Sequence, residues 1–272
     1  MARKRRKAAK QTEPVPKKPP PEGKDRLDKV LVQQGICESR QKARGYILAG
    51  QVLVEDQCID KVGTLVNVDA AIRLRGERMP YVSRGGLKLE ALLDHFSIDA
   101  NERVVLDLGT STGGFCDCLL QHGARKVIGI DVGYGQLHNK LQGDERVHMF
   151  ERTNARHLTP EMLPLEDGES IQVISADLSF ISLRLVLPAA APFLAPGGDA
   201  LLLVKPQFEV GREHLEKGGV VTDDALRQSA ADGVRDCAAE FGWIERGRID
   251  SPVHGPKGNV EILLWLHRPI DA

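Results

Sequence analysis

"VVLDLGTSTGGF", residues 104–115, decides the fold. Val104–Leu108 is an apolar run of strand length, interrupted only by Asp107. Gly109, Gly113 and Gly114 then break the chain, and "FCDCLLQHG" continues as a helix that stops at Gly123. A dry strand passing through a glycine-rich turn into a helix is the repeating unit of a doubly wound sheet. Downstream the alternation recurs. "KVIGIDV", "RVHMFERTN", "IQVISADLSF" and "DALLLVKPQFE" read as strands, "LRLVLPAAAPFLAPGG" and "SAADGVRDCAAEFG" as helices, and "WIERGRIDSP" and "NVEILLWLHR" as two closing strands. Residues 102–272 are therefore expected to form an α/β domain with a mostly parallel sheet.

Upstream the character changes. Residues 1–24 hold nine Lys and Arg against two acids and have almost nothing to bury, so they read as a disordered basic tail. Residues 25–79 read as a small α+β domain. "RLDKVLVQQG" places Leu27, Val30 and Leu31 on one helical face. In "SRQKARGYILAG", Ser39 is the expected N-cap, Ala43, Ile47 and Leu48 the core face, and Gly50 the stop. "QVLVED" and "GTLVNVDAAIRL" supply short strands. Residues 80–101, "PYVSRGGLKLEALLDHFSIDAN", read as a linker and the start of the larger domain, with the glycine pair as a hinge.

The bulk numbers narrow the classes of function. The net charge of the 272-residue chain is -1, but residues 1–24 carry +7 while residues 80–272 hold 19 basic against 28 acidic residues. A basic front and an acidic body suit a polyanionic partner met mainly by the front. Only 4% of residues are aromatic, so stacking on bases is not the main binding mode. The five cysteines form no CxxC pair, which argues against structural zinc, and an odd number argues against a disulfide framework. No apolar run approaches the roughly 20 residues of a membrane helix, and no secretory leader is legible, so a cytoplasmic setting without membrane contact is expected.

The glycine turn departs from the G-x-G-x-x-G pattern of nicotinamide-binding sheets, for it reads G-T-S-T-G-G. Asp107 would crowd a pyrophosphate there and suits a cationic, amino-acid-bearing ligand better. Asp131 ends the next strand, where an acid accepts hydrogen bonds from ribose hydroxyls. S-adenosylmethionine carries a sulfonium, an amino group and a ribose, and fits both. Four ionisable residues stand at the ends of apolar runs: Lys88, Asp177, Lys205 and Glu261. Ligands bind beyond the carboxyl ends of the strands in such sheets, so Asp177 and Lys205 are expected on one rim with Asp107 and Asp131. Two lysines and two carboxylates form a near-neutral cluster, which limits the cost of burying them. Such a set suits methylation of a ribose 2′-hydroxyl, with Lys205 as base, Lys88 as its cationic neighbour, and Asp177 and Glu261 as positioning acceptors. A lysine accepts a proton only when neutral, so its surroundings must disfavour the charge.

Residues 25–75 resemble the S4 RNA-binding domain, with the departure that Glu55-Asp56-Gln57 stands where that domain often has an Asn-Gly turn. "YVSRGGLKL", "STGGF", "DVGYGQL", "ERTNAR", "DLSFISL", "LVKPQFEVG" and "SPVHGPKGNVE" together resemble the TlyA-type family, S4-domain proteins with an FtsJ-like catalytic fold, some of them labelled haemolysins. The resemblance spans about residues 25–268. It implies a doubly wound Rossmann-like methyltransferase sheet behind an S4-type RNA-binding domain, an S-adenosyl-L-methionine cofactor, and methylation of cytidine riboses in ribosomal RNA, free or in a ribosomal subunit. It implies the tetrad Lys88, Asp177, Lys205 and Glu261. Its cofactor contacts fall on Asp107, Gly109, Ser111, Thr112, Gly113, Gly114, Phe115, Asp131, Val132, Asn154 and Asp177. Arg40 and Arg44, four apart, share one side of their helix and suit phosphate, and RNA contacts are expected at Arg26, Arg40, Lys42, Arg44 and Arg84. The family usually carries Ala at Thr110 and a tryptophan where this chain has His138-Asn139.

Overall fold

The computed structural model describes residues 23–75, 79–216, 218–255 and 258–270. The expected tail lies outside them except for its last two residues. The chain divides into two compact units, with the boundary after residue 77.

The first unit is α+β. Helices α1 (Leu27–Gln33) and α2 (Arg40–Leu48) pack over short strands, with Leu27, Val30, Leu31, Ala43 and Ile47 fully buried between them. Ser39 caps α2 by accepting from the Lys42 amide. Leu48, expected in the core, is exposed, because α2 ends there and only Ala43 and Ile47 face inward. Strand β1 (Lys24–Arg26) precedes α1; β2 (Val52–Val54), β3 (Gln57–Cys58), β4 (Leu65–Asn67) and β5 (Ile72–Leu74) follow α2. β2 pairs with β3 and β5, while β4 pairs with β1, so the two strands of "GTLVNVDAAIRL" belong to different sheets. Glu55 and Asp56 both adopt positive φ, the conformation an Asn-Gly turn supplies. Glu55 Oε1 accepts from the Ala71 amide and Asp56 from Arg73, so both acids have structural partners.

The second unit is a seven-stranded sheet. Its strands are β6 (Val104–Leu108), β7 (Lys126–Ile130), β8 (Val147–Phe150), β9 (Ile171–Ala176), β10 (Leu194–Val204), β11 (Ile244–Asp250) and β12 (Ile262–His267). The order is β11-β12-β10-β9-β6-β7-β8, with β12 antiparallel to both neighbours and the other pairs parallel. Side chains alternate between two apolar layers. Val104, Leu106, Leu108, Leu202 and Val204 pack on one side with helix α8 (Asp224–Ala239). Val105, Leu201 and Leu203 pack on the other with α3 (Gly85–Phe96) and α4 (Gly114–Gln121). Burial on both faces is why these strands read as unbroken apolar runs.

Three expectations need correction. The stretch read as a hinge is a core helix: Leu89 and Leu92 of α3 are fully buried and pack with α4. The helix expected over "LRLVLPAAAPFLAPGG" is broken into single turns, of which only α6 (Leu187–Ala190) is α-helical. Pro188 and Pro192 each start a turn rather than extend one, and β10 begins already at Leu194. The strand read as "DALLLVKPQFE" ends at Val204, and Pro206 starts helix α7 (Pro206–Glu209) at the position where a missing N–H costs nothing. A short helix α5 (Asn139–Gln142) was not expected. The His138 ring caps it by accepting from the Lys140 amide.

Candidate active site

β6 is the switch point of the sheet: β7 and β8 follow on one side and β9 and β10 on the other. Its carboxyl end is where an open α/β sheet presents a ligand crevice. Three features converge there.

The first is the loop after β6. Gly109 has φ +80°, and a Cβ on it would meet the Asp177 carbonyl at 2.8 Å and Leu178 at 2.9 Å. At Gly114 a Cβ would run into Ser83. The loop is thus wedged between the end of β9 and the entry to α3, with no room for side chains at these two positions. Asp131, after β7, holds this loop by accepting from the Ser111 amide (2.8 Å) and the Gly133 amide (2.6 Å).

The second is the tetrad. Lys205 follows β10 and Glu261 precedes β12. The register pairs Val204 with Ile262, so the antiparallel return of β12 sets Glu261 across from Lys205. Asp177 follows β9, its amide bonded to the Leu108 carbonyl. Lys88 reaches the rim from α3. The four resolve into two ion pairs: Lys88 Nζ with Glu261 Oε2 at 2.5 Å, and Lys205 Nζ with Asp177 Oδ1 at 2.6 Å. Lys205 Nζ also donates to Ser179 Oγ at 2.8 Å. Lys88, Lys205 and Glu261 are buried, at 8%, 9% and 1% exposure, and a charge so placed persists only when paired.

The third is the space. A cavity of about 290 Å³ is lined by all four tetrad residues, by Arg84, Gly109, Ser111, Thr112, Gly114 and Phe115, and by His254. A second, of about 560 Å³, shares Gly109, Ser111, Asp177 and Ser179 with it and extends past Asp131, Val132 and Asn154. A third, of about 290 Å³, adjoins at Lys205 and Glu261 and is lined by Phe180, Phe208 and Leu215. Of the cofactor residues expected from the sequence, Asp107 and Gly113 lie behind these walls. Asp107 is buried under the loop. Its Oδ1 accepts from Ser175 Oγ at 2.6 Å, Oδ2 has no partner, and burial pushes its carboxyl up to about 6. Gly113 faces Leu137 and Leu141.

A ligand with a ribose at one end and a cation at the other suits these walls. The larger cavity offers Asp131 to vicinal hydroxyls, the glycine loop admits close approach, and an acceptor without a partner lies beneath the loop. The sequence did not point to Ser179, Gln136 or Thr153. Ser179 was legible in principle, two residues beyond Asp177 at a strand end, but a lone serine in a loop carries no distinguishing pattern.

The expected RNA contacts divide between the units. In the first, buried Asp28 accepts from Arg26 Nε at 2.9 Å and Arg40 Nη2 at 2.7 Å, and although burial opposes it, the two guanidiniums hold its carboxyl below the usual range. Lys42 pairs with Glu38 at 2.5 Å, and Arg44 is exposed. In the second, Arg84 lines the cavity that the four tetrad residues share.

Comparison with known proteins agrees with this division. Residues 81–268 match the FtsJ-like methyltransferase family and residues 25–72 the S4 domain. The chain is 44% identical to the 16S/23S rRNA (cytidine-2′-O)-methyltransferase TlyA of Mycobacterium tuberculosis, over 90% of this chain and 91% of that protein. It is 39% identical to hemolysin A of Brachyspira hyodysenteriae, over 88% and 98%. A Streptococcus thermophilus protein described as hemolysin-like has a solved structure that superposes with a TM-score of 0.70, at 38% identity, over 91% of this chain and 89% of that one.

Proposed function

This chain belongs to the TlyA and hemolysin A family of S4-domain, FtsJ-like methyltransferases, and on that premise we propose that it methylates the ribose 2′-hydroxyl of cytidine in ribosomal RNA, using S-adenosylmethionine. The observation that carries the reading is the pairing of two buried lysines with two carboxylates on the walls of one cavity that opens into a nucleoside-sized one.

The chemistry asks for little more than alignment and one proton acceptor. S-adenosylmethionine, when bound, supplies an electrophilic methyl carbon on a sulfonium. Asp131 and Asn154 line the cavity that would hold its adenosine, and Gly109, Ser111, Thr112, Gly114 and Phe115 the turn toward the tetrad. A ribose hydroxyl is a poor nucleophile until its proton leaves; Lys205 Nζ, once it has passed its own proton to its Asp177 partner and stands as the neutral amine, takes the hydroxyl proton as the oxygen–carbon bond forms. Asp177 and Ser179 fix the position of Nζ. Lys88, held by Glu261, places a second cation where negative charge develops on the oxygen. Ribosomal RNA as the substrate puts this work in the cytoplasm.

The test is ribose-methylation mapping on ribosomal RNA from cells with and without the protein, with labelled methyl transfer in vitro. Lys205→Ala should lower transfer by about 10²- to 10⁴-fold, the usual worth of a positioned proton acceptor, and leave RNA binding intact. Transfer at the normal rate by that variant, or identical methylation maps, would overturn the assignment.

A further inference from the structure

A brace runs between the two segments that leave the Lys205–Asp177 ion pair. Glu209, the last residue of α7, is buried at 7% exposure, yet it carries a carboxylate. Its Oε1 accepts from the Leu183 amide at 2.7 Å, and its Oε2 from the Ser182 hydroxyl at 2.5 Å and from Arg184 Nε at 3.3 Å. Its backbone carbonyl accepts from Arg184 Nη2 at 2.7 Å. All four bonds go to one stretch, residues 182–184. That stretch closes the loop that leaves β9 at Asp177, and α7 leaves β10 at Lys205. Glu209 therefore fastens the segment after one member of the ion pair to the segment after the other.

Two features of the fastened loop give the brace something to hold. Ser179 Oγ accepts from Lys205 Nζ, and Ser179 lines all three cavities, so it sits where they meet. The next residue, Phe180, has φ +65° and is 91% exposed. A bulky residue in the left-handed region is strained, and such strain persists only where the surroundings over-determine it. Phe180 gains little burial in return beyond a ring contact with Phe208 of α7, at 5.4 Å between centroids, and Leu178 and Ile181 on either side pack against the core; the polar anchorage of the loop lies at its ends, Asp177 on one side and the Glu209 bonds on the other.

We infer that Glu209 is a positioning residue that holds Ser179 against Lys205, and that the Ser179 hydroxyl is the second anchor of the Lys205 amine beside Asp177. The inference rests on the methyltransferase reading and deepens it. Two points of attachment fix an amine that one ion pair leaves free to swing, and a displacement of about 1 Å at a reacting centre can cost about 100-fold in rate.

The experiment is steady-state methyl transfer to ribosomal RNA by the full chain and by Ser179→Ala, Ser179→Thr, Glu209→Gln, the loop-side variant Ser182→Ala/Arg184→Ala and that variant combined with Ser179→Ala. The loop-side variant, Glu209→Gln and Ser179→Ala should each lower kcat by about 10- to 100-fold with KM for both substrates unchanged. Ser179→Thr, which keeps the hydroxyl, should retain most of the rate. The combination should be no slower than its slower parent, because both changes release the same contact. Glu209→Gln alone risks misfolding, since its amide meets donors where the carboxylate accepted. The loop-side variant removes three of the four bonds and leaves only that from the Leu183 amide, and it decides that case. An unchanged kcat in the loop-side variant, rate losses that multiply in the combination, or losses confined to KM would each overturn the brace. A native chain that transfers no methyl group to ribosomal RNA would overturn instead the reading beneath it.

Discussion

Asp107 is the residue whose burial and charge oppose each other most. It occupies a strand that is dry on both faces, is 1% exposed, and leaves one carboxylate oxygen without a partner. Burial raises its carboxyl to about 6 from an ordinary 3.8, against the bond from Ser175 that favours ionisation. A carboxyl raised in the folded state binds its proton more tightly there than in the unfolded chain. Stability is therefore highest below the unfolded value, falls as pH rises through the window from about 4 to about 6, and stays lowered above it. A carboxyl held that far above its ordinary value costs about 3 kcal/mol at neutral pH as an upper figure. Asp107→Asn, which cannot ionise, should gain stability over the native chain at pH 7.5 and lose that advantage at pH 4.5, measured by thermal unfolding at both. An advantage independent of pH would mean that the burial of charge is not what the position costs. The tetrad lysines show the other solution to the same problem, with each buried charge facing an opposite one at 2.5 to 2.6 Å.

At the scale of elements, the antiparallel return of β12 completes the site. Three tetrad members could be placed from a parallel sheet and its preceding helix, but Glu261 precedes its strand, and only a reversed strand brings a preceding residue to the rim where the others end. The glycine loop is the other decisive element. Gly109→Ala places a methyl group against the Asp177 carbonyl at 2.8 Å in a backbone conformation that favours glycine, so it should cost about 1–3 kcal/mol and displace Asp177 from Lys205. Calorimetric titration should find S-adenosylmethionine binding weakened, and native affinity in that variant would show that the loop has slack. Much of this layer was legible in the sequence, because strands buried on both faces leave apolar runs, and ionisable residues at their ends stand out against them. What was not legible has physical causes. Leu89, Leu92 and Leu93 had helical spacing, but the Gly85-Gly86 pair before them reads equally as a hinge or as a close approach, and only the Tyr81 ring against Gly86 decides it. The β1–β4 pair consists of three-residue strands, too short for alternation to register. The Glu209 brace joins residues 25 to 27 positions apart through side chains that look like ordinary surface polarity in the sequence.

At the scale of the whole molecule, the division of charge along the chain is the fact with the widest consequence. Residues 80–272 carry nine more acids than bases, so the catalytic unit alone repels a polyanion, and the attraction must come from the front. There, Asp28 orients Arg26 and Arg40 from below while their outer faces stay accessible, and Arg44 is exposed on the same helix as Arg40. The catalytic unit has its own two apolar layers, and its core begins at Tyr81, 5% exposed, followed by Val82, whose amide donates to Asp117. A truncation meant to separate binding from chemistry therefore belongs after residue 77, not at residue 80. The chain from residue 78 onward should bind S-adenosylmethionine as the full chain does. Its affinity for ribosomal RNA should fall at least 10-fold near physiological salt. The dependence of log affinity on log salt should also flatten, because every phosphate left without a cationic partner takes about 0.7 to 0.9 off that slope. Filter binding across a salt series measures both quantities at once. If the truncated chain bound RNA with the native slope, the phosphate contacts would have to lie on the acidic unit itself, around Arg84 and the mouth of the catalytic cavity, and the front of the chain would be left without an electrostatic role.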